Sequence, residues 1–380
     1  MTRKDSFFDR LPDNLFIGPV FGPEEAEAVK ALVEAGTITQ LSTDTVEEFE
    51  VAFAAYIGVK EAVAVSSGTA AVHTALIAAG VEAGDEVIVP AFTFIGTVGP
   101  VLHQHAVPVF ADIDPTTLCL AAEDVDRKIT DKTKAVLPVD LFGHPADLDA
   151  ITAVAEKHGV TVVDDACQSH GAEYKGRRLG GLAPLTSFSF QESKNMTTGE
   201  GGMVTTNDPE LAQVCRSVRH QGEQTWGLIA RVGYNYRMTA LQAAIGIEQL
   251  KKLDDFNTRR RAIAGCYTEA LVSLGLQLPT EASYAKSVCH VYSFLLPKAL
   301  APRRDEILNA LQQQGVPVSI AYPKPLYASP VFDGFAVQAC PVTEDIASRV
   351  LTLPTAHSLS IETAGRIAEM TRSVLERYLT

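Results

Sequence analysis

The chain has 380 residues, of which 46% are hydrophobic, enough to bury a large core and to divide into two domains. Its 32 basic and 46 acidic side chains leave a net charge of −14, which argues against a nucleic-acid partner. Six cysteines, at 119, 167, 215, 266, 289 and 340, form no C-x-x-C pair and no metal-ligand cluster, a pattern that suits reduced cytosolic thiols.

The first ten residues, Met1 to Arg10, are charged and lack the apolar core of a signal peptide. No apolar run is long enough to span a bilayer, so a cytoplasmic protein with no membrane partner is expected. Residues 23–36 predict an acidic, Ala-rich helix that stops near Gly36, and Thr43 or Asp44 is placed to cap the next helix. Residues 61–65 read as a strand. Ser66-Ser67-Gly68-Thr69 follows and leads into a helix over 70–79, closed by Gly80. A strand entering a helix through Ser-Gly-Thr leaves backbone N–H groups unpaired and convergent, an anion site suited to a phosphate. Ordinary N-capping by Ser67 or Thr69 accounts for the same residues.

Strands over 86–90 and 107–112 come next, with a helical stretch after Thr93 between them. A strand over 135–139, a helix over 148–158 and a strand over 160–165 that ends in two acids continue the rhythm. Strands alternating with helices predict a mainly parallel, doubly wound sheet, in which ligands gather at the carboxyl ends of the strands. Ser67-Gly68, Phe94 and Asp165 fall at those ends. So does Lys194, in a polar loop between strand-like runs at 187–190 and 203–206. A lysine on such a loop is either a solvated surface charge or, where apolar walls desolvate it, an amine of lowered pKa that can act as a nucleophile.

Beyond residue 210 the character changes. Residues 211–219 are helical, and 220–230 form an irregular loop with the only tryptophan, Trp226. Gly233-Tyr-Asn-Tyr-Arg-Met leads into a helix over 239–253, whose apolar positions Leu241, Ala244, Ile245, Ile247, Leu250 and Leu253 form a core-facing stripe. The helix is expected to break before it continues through Arg259-Arg260-Arg261, a basic run read as a solvated face. A strand over 291–297, a helix around 304–314 and a final helix make a smaller α+β unit. The chain thus divides into a large domain, 1–254, and a small C-terminal domain, 255–380.

Six segments, in order, carry a resemblance over nearly the whole length. They are Ser67-Gly-Thr-Ala, Gly84-Asp-Glu-Val-Ile-Val-Pro-Ala-Phe-Thr-Phe, Val109-Phe-Ala-Asp-Ile-Asp, Asp164-Asp-Ala-Cys-Gln-Ser-His-Gly-Ala, Ser187 to Gly202, and Gly233-Tyr-Asn-Tyr-Arg-Met. Through them the chain resembles the DegT family of pyridoxal-phosphate (PLP) sugar aminotransferases. The resemblance implies an α/β fold of the PLP-dependent transferase fold type I, with a large sheet domain and a smaller C-terminal one. It implies Lys194 as the lysine that carries PLP and then moves a proton. Asp165 would pair with the pyridine nitrogen, where an ionised carboxylate keeps the ring an electron sink. Asp164 ends the same strand but faces the other way. Gln168 would touch the ring's phenolic oxygen and Phe94 would stack on the ring, with Phe92 left to the core. Gly68, Thr69 and Ser189 would cradle the phosphate. Asn235 would reach the phosphate of a neighbouring subunit, which implies a homodimer with shared sites. His170 is expected to be a hydrogen-bonded structural histidine and Cys167 a packing residue. Arg237 and Tyr322 would contact the substrate or the subunit interface.

The implied reaction moves an amino group from L-glutamate or L-glutamine to the ketone of a keto-cyclitol or keto-sugar, for an antibiotic or a surface polysaccharide. A nucleotide-linked 3- or 4-keto-6-deoxyhexose is the alternative ketone, and a non-catalytic PLP-binding regulator is the alternative of another class. A related dehydratase would carry histidine in place of Lys194, and a cysteine desulfurase would have one in place of Ser193. Two positions depart from the family pattern. Gln191 stands where the nucleotide-sugar enzymes commonly have histidine or tyrosine, and its neutral amide suits ring hydroxyls, which favours a cyclitol. Thr43-Asp44-Thr45 stands where Gly-Pro is common.

Overall fold

The computed structural model describes residues 21–379, so the charged segment Met1–Arg10 lies outside the described residues. Two helices come first, α1 (Pro23–Ala35) and α2 (Thr45–Ile57). Asp44 holds the N-cap position of α2 but makes no side-chain capping bond. From there β1 (Glu61–Val65), α3 (Gly68–Ala78), β2 (Glu86–Pro90), α4 (Ile95–His103), β3 (Val107–Ala111), α5 (Ala122–Lys128), β4 (Thr133–Val136), α6 (Leu148–His158) and β5 (Thr161–Asp165) alternate. Two short strands, β6 (Glu173–Tyr174) and β7 (Arg177–Arg178), precede the hairpin of β8 (Leu185–Ser189) and β9 (Gly202–Thr206).

Among the described residues the central sheet has seven strands in the order β1-β9-β8-β5-β4-β2-β3, and β9 alone runs antiparallel to the rest. Apolar runs such as Val87-Ile88-Val89 are buried on both faces because helices cover the sheet on each side. On one side Val63, Val87 and Val89 pack against Ala71 and Leu76 of α3 and Val98 of α4. On the other, Ile88, Val136 and Val162 pack against Leu148 and Ile151 of α6. The parallel arrangement gathers the ends of β1, β2, β5 and β8 on one edge, and the candidate residues with them.

After α7 (Pro209–Arg219), the segment expected to be an irregular loop instead folds back as a small hairpin, β10 (Glu223–Thr225) and β11 (Leu228–Ile229). Gly227, at φ 80°, supplies the left-handed residue its turn requires.

The long helix α8 (Ala240–Leu271) runs unbroken for 32 residues, across position 254 and the basic run. Thr239 caps it by accepting from the Gln242 N–H, while the Gln242 side chain answers at the Thr239 N–H. The expected break is absent because no proline interrupts the helix and burial continues along it, from Leu253 to Ile263, Tyr267 and Leu271. The predicted stripe is met in part, at Ala244 and Leu253, and otherwise displaced. Leu241, Ile245, Ile247 and Leu250 are half-buried, whereas Ala243, Ala244 and Gly246 are buried. The Phe49 ring lies against this stretch, and a Cβ at Gly246 would come within 2.6 Å of it, so close approach selects small residues. The basic run also departs from the expected solvated face. Arg259 is exposed, but Arg260, one residue on and turned inward, is only 4% exposed.

In the C-terminal unit β12 (Ala285–Lys286) pairs with β6, and β13 (Tyr292–Leu295) pairs antiparallel with β14 (Val350–Leu353). Helices α9 (Arg304–Gln313), α10 (Pro341–Arg349) and α11 (Ile361–Leu379) complete it. Its core joins Tyr267 of α8 to Phe294, Leu311, Leu351 and Leu375. Among the described residues no helix is long and apolar enough to cross a membrane.

Candidate active site

Asp165, the last residue of β5, is 3% exposed. Its Oδ2 accepts from Thr97 Oγ1 at 2.8 Å, and its Oδ1 accepts from the Cys167 backbone N–H at 3.1 Å. Thr97 lies in the first turn of α4, its hydroxyl 2.9 Å from that of Thr93. Sequence reasoning missed it; two threonines four apart, one just before α4 and one in its first turn, were the available signal. Asp164 is turned to the other face, as strand alternation requires, and neither of its carboxyl oxygens has a hydrogen-bond partner among the described residues. Burial, and then the Asp165 charge, push its carboxyl well above the usual range.

Lys194 lies in the turn after β8, its backbone N–H donating to the Gln191 carbonyl at 2.9 Å. No hydrogen bond or ion pair engages its Nζ among the described residues. Burial lowers its pKa, and the nearby Cys167 and Asp165 partly oppose that shift. Gln168 bridges two elements. Its Oε1 accepts from the Phe142 N–H at 2.9 Å, and its Nε2 donates to the Tyr322 hydroxyl at 3.3 Å. The Tyr322 ring lies nearly parallel to those of Phe94 and Phe142, at 6.5 and 6.2 Å, while Phe92 meets it edge-on at 5.6 Å. Phe94 is 51% exposed and Phe92 only 1%, so Phe94 alone offers a free ring face.

The start of α3 forms a cradle. The helix begins at Gly68, two residues before the expected start, and Ser67 is the N-cap, its hydroxyl accepting from the Ala70 N–H at 3.1 Å. A Cβ at Gly68 would meet Ser189 Cβ at 2.5 Å and Cys167 Sγ at 3.1 Å. Across the turn, a Cβ at Gly202 would lie 2.3 Å from the Ser67 carbonyl oxygen. Both glycines allow backbone to approach backbone, so the unpaired N–H groups of α3 and the Ser189 hydroxyl lie side by side. Thr69 is exposed beside them. A helix N-terminus with a neighbouring hydroxyl suits a phosphate. This cradle, a carboxylate one strand away and a desolvated amine are together the donor set that PLP needs.

Other expected residues lie differently. The Gln191 Oε1 is turned back on its own loop, accepting from the Ser193 N–H at 2.8 Å and the Ser193 hydroxyl at 2.6 Å. Only its Nε2 remains to serve a substrate, so the two-way amide expected from the sequence becomes a donor alone. Arg237 places Nη1 3.0 Å from His220 Nδ1. Asn235 is exposed and makes no side-chain hydrogen bond among the described residues, although the Tyr236 carbonyl beside it accepts from the Ser66 N–H at 2.8 Å. His170 is fully buried against Phe188 and Phe190, and among the described residues neither ring nitrogen makes a hydrogen bond of ordinary geometry, so its structural role is chiefly packing. Burial, then the Lys194 charge, lower its pKa to about 3 and keep the ring neutral. Sequence reasoning also missed Asn195, Asn257, Arg260 and His290, which gather behind Lys194.

The model of the DegT/DnrJ/EryC1/StrS aminotransferase family matches residues 19–372. The GDP-perosamine synthase of Caulobacter vibrioides is 39% identical over 334 residues, 86% of this chain and 89% of that protein. The UDP-N-acetyl-3-dehydro-alpha-D-glucosamine 3-aminotransferase of Acidithiobacillus ferrooxidans is 40% identical over 319 residues, 84% of this chain and 85% of that protein. Among solved structures, DesV of S. venezuelae superposes with a TM-score of 0.88 at 36% identity, covering 93% of this chain and 95% of that one.

Proposed function

The chain belongs to the DegT/DnrJ/EryC1/StrS aminotransferase family, whose members use PLP, and from that premise we propose that it aminates the keto carbon of a nucleotide-linked sugar. The amino donor is L-glutamate or L-glutamine. The observation that carries this reading is Lys194, a desolvated amine whose Nζ has no hydrogen-bond partner among the described residues and which lies close enough to Asp165 to feel its charge.

PLP supplies an electron sink that lets a proton leave the substrate carbon next to nitrogen. Lys194 would hold the cofactor and would serve as the group that moves that proton; burial favours the uncharged amine the task requires. Asp165 pairs with the pyridine nitrogen, and its two donors, Thr97 and the Cys167 N–H, fix the direction of the carboxylate. Gln168 meets the phenolic oxygen and Phe94 the ring face. Gly68, Thr69 and Ser189 hold the phosphate. Tyr322 and the Nε2 of Gln191 address the ketone substrate.

Two points favour a nucleotide-linked ketone over a free cyclitol. The relatives are named for GDP- and UDP-linked sugars. The Gln191 amide, which had favoured a cyclitol, spends its carbonyl on Ser193. A homodimer is part of the proposal, with Asn235 and Arg237 serving the partner copy's site. Its support is the apolar arm around Asn235, where Trp226 is 97%, Leu228 54%, Ile229 61% and Val232 77% exposed in the single chain.

The test is a pair of half-reactions on the PLP-loaded protein. Glutamate or glutamine should bleach the cofactor's visible band, and a nucleotide-linked keto-sugar should restore it, with free nucleoside diphosphate competing. Restoration by an inosose in preference to every nucleotide sugar at matched concentration would overturn the substrate class.

A further inference from the structure

Behind Lys194 runs a chain of polar side chains that none of these roles uses. Asn195, the next residue, is completely buried. Asn257 and Arg260, on adjacent turns of α8, are 7% and 4% exposed, and His290, just before β13, is 7% exposed. The direction of every hydrogen bond can be read from one end. The His170 carbonyl can only accept, so the Asn257 atom 2.8 Å away is its Nδ2. The Asn257 Oδ1 then faces Asn195 and takes a hydrogen bond from its Nδ2 at 2.8 Å. The Val288 carbonyl, 3.3 Å from the same Nδ2, requires that orientation too. This leaves the Asn195 Oδ1 facing His290 Nδ1 at 3.0 Å, so Nδ1 carries the proton and donates it. On the other side Arg260 holds the His290 carbonyl with Nη1 at 3.0 Å and reaches the Lys194 carbonyl with Nη2 at 3.5 Å.

We propose that Asn195, Asn257 and His290 form a positioning clasp for Lys194, which ties its loop to α8 and to the C-terminal unit and holds His290 as the Nδ1–H tautomer. The charged and titratable groups facing His290 are Lys194, Arg260 and His170, all basic. Together with burial they exclude a second proton from the ring. A cationic His290 would need an acceptor at Nε2 and would add positive charge beside an amine that has to take up a proton. A lysine side chain is long and flexible, so the protein fixes its reach chiefly through its anchor. The clasp grips that anchor at the residue that follows Lys194, and Arg260 reaches the Lys194 carbonyl beside it.

The clasp rests on Lys194 being the cofactor lysine, a premise that borohydride trapping and peptide mapping test by themselves. For the clasp, His290→Asn keeps an amide N–H close to the Nδ1 position, and His290→Gln moves it outward to the Nε2 position. The PLP-loaded variants are compared by kcat, KM and the pH midpoint of the cofactor's visible band, which reads the lysine's setting without turnover. His290→Asn should keep the parental midpoint and most of the parental kcat. His290→Gln and Asn195→Ala should shift the midpoint and lose roughly 10- to 100-fold in kcat with little change in KM, the scale of a misplaced reacting group. Equal damage in His290→Asn and His290→Gln would show that a donor at the Nδ1 position is not what the site needs and would overturn the clasp. So would a parental midpoint and kcat in His290→Gln. Should Asn195→Ala not fold, the two His290 variants decide the matter alone.

Discussion

Gly68 is a point of close approach in the proposed site, and one added methyl group tests the cradle. A Cβ there would lie 2.5 Å from Ser189 Cβ, 2.8 Å from Ser189 Oγ and 3.1 Å from Cys167 Sγ. Carbon atoms pack best at about 3.5–4.0 Å, so α3 and β8 must part by roughly 1 Å. Ser189 Cβ is bonded to the backbone of a buried strand and cannot rotate away. Overpacking of this kind costs about 1–3 kcal/mol, offset by less than about 1 kcal/mol from replacing glycine at a helix start. Gly68→Ala should therefore lose about 1–2 kcal/mol of stability in urea unfolding of the cofactor-free protein. The N–H groups that face the phosphate move with α3, so PLP affinity should fall by roughly tenfold or more. Adding Ser189→Gly removes the clashing atoms and should restore stability with a coupling of about 1 kcal/mol, while the lost hydroxyl keeps PLP binding weak. Parental stability and affinity in Gly68→Ala, or strictly additive effects in the double variant, would refute the close approach of α3 to β8.

Asp165→Asn should leave the fold intact yet cost about 3 kcal/mol or more in kcat/KM, the scale of one preorganised electrostatic partner; near-parental turnover would remove Asp165 from the proposed role. Thr97→Val, which leaves the Asp165 Oδ2 without its donor, should cost about 1–3 kcal/mol in kcat/KM by the same assay. Asp164 and Asp140 have raised pKa values, so above about pH 4 the native chain keeps protons that the unfolded chain releases, and their contribution to stability falls as pH rises. Asp164→Asn cannot ionise and should flatten that fall in urea unfolding series run from acid to neutral pH, where an unchanged slope would contradict the assignment. Mixing Lys194→Ala chains with Asn235→Ala chains should restore activity at one hybrid site; silence despite proven subunit exchange would place Asn235 within its own chain's site or outside it.

What the sequence made legible was local. The Ser-Gly-Thr turn, the acids that close β5 and the lysine loop each announce themselves within a few neighbours, because strand ends and helix starts have short signatures. The partners of those residues do not. Thr97 meets Asp165 across 68 positions and His290 meets Asn195 across 95, distances at which no spacing rule operates. Arg260 was hidden in another way. Three consecutive arginines look like one solvated face, yet successive helical residues point about 100° apart, and the middle one turns into the core. The Gln191 amide was misread because a nearby hydroxyl and N–H two residues on offered it a local bond, a competition that composition does not reveal. The stripe on α8 held at Ala244 and Leu253 but shifted between them for a packing reason, since the ring of Phe49 approaches so closely that small residues, Ala243 and Gly246, are buried there.

The charges around Lys194 are arranged unequally, and the inequality bears on how the amine works. Asp165 and Glu200 favour its protonated form; near it also stand Arg260 and two histidines kept neutral. Burial outweighs the acidic side, so the amine's pKa is lowered, but not by as much as burial alone would impose. In the proposed role Asp165 is no longer an isolated negative charge, because it is paired with a pyridinium. Its pull on the lysine proton then weakens, while burial continues to act. With Asp165 so paired, the Lys194 amine, whenever it is not joined to the cofactor, would be held further toward the neutral form that can accept a proton from the substrate. The same carboxylate therefore serves two ends in this reading: it holds the ring in its reactive charge state, and by being neutralised in doing so it frees the lysine to act as a base.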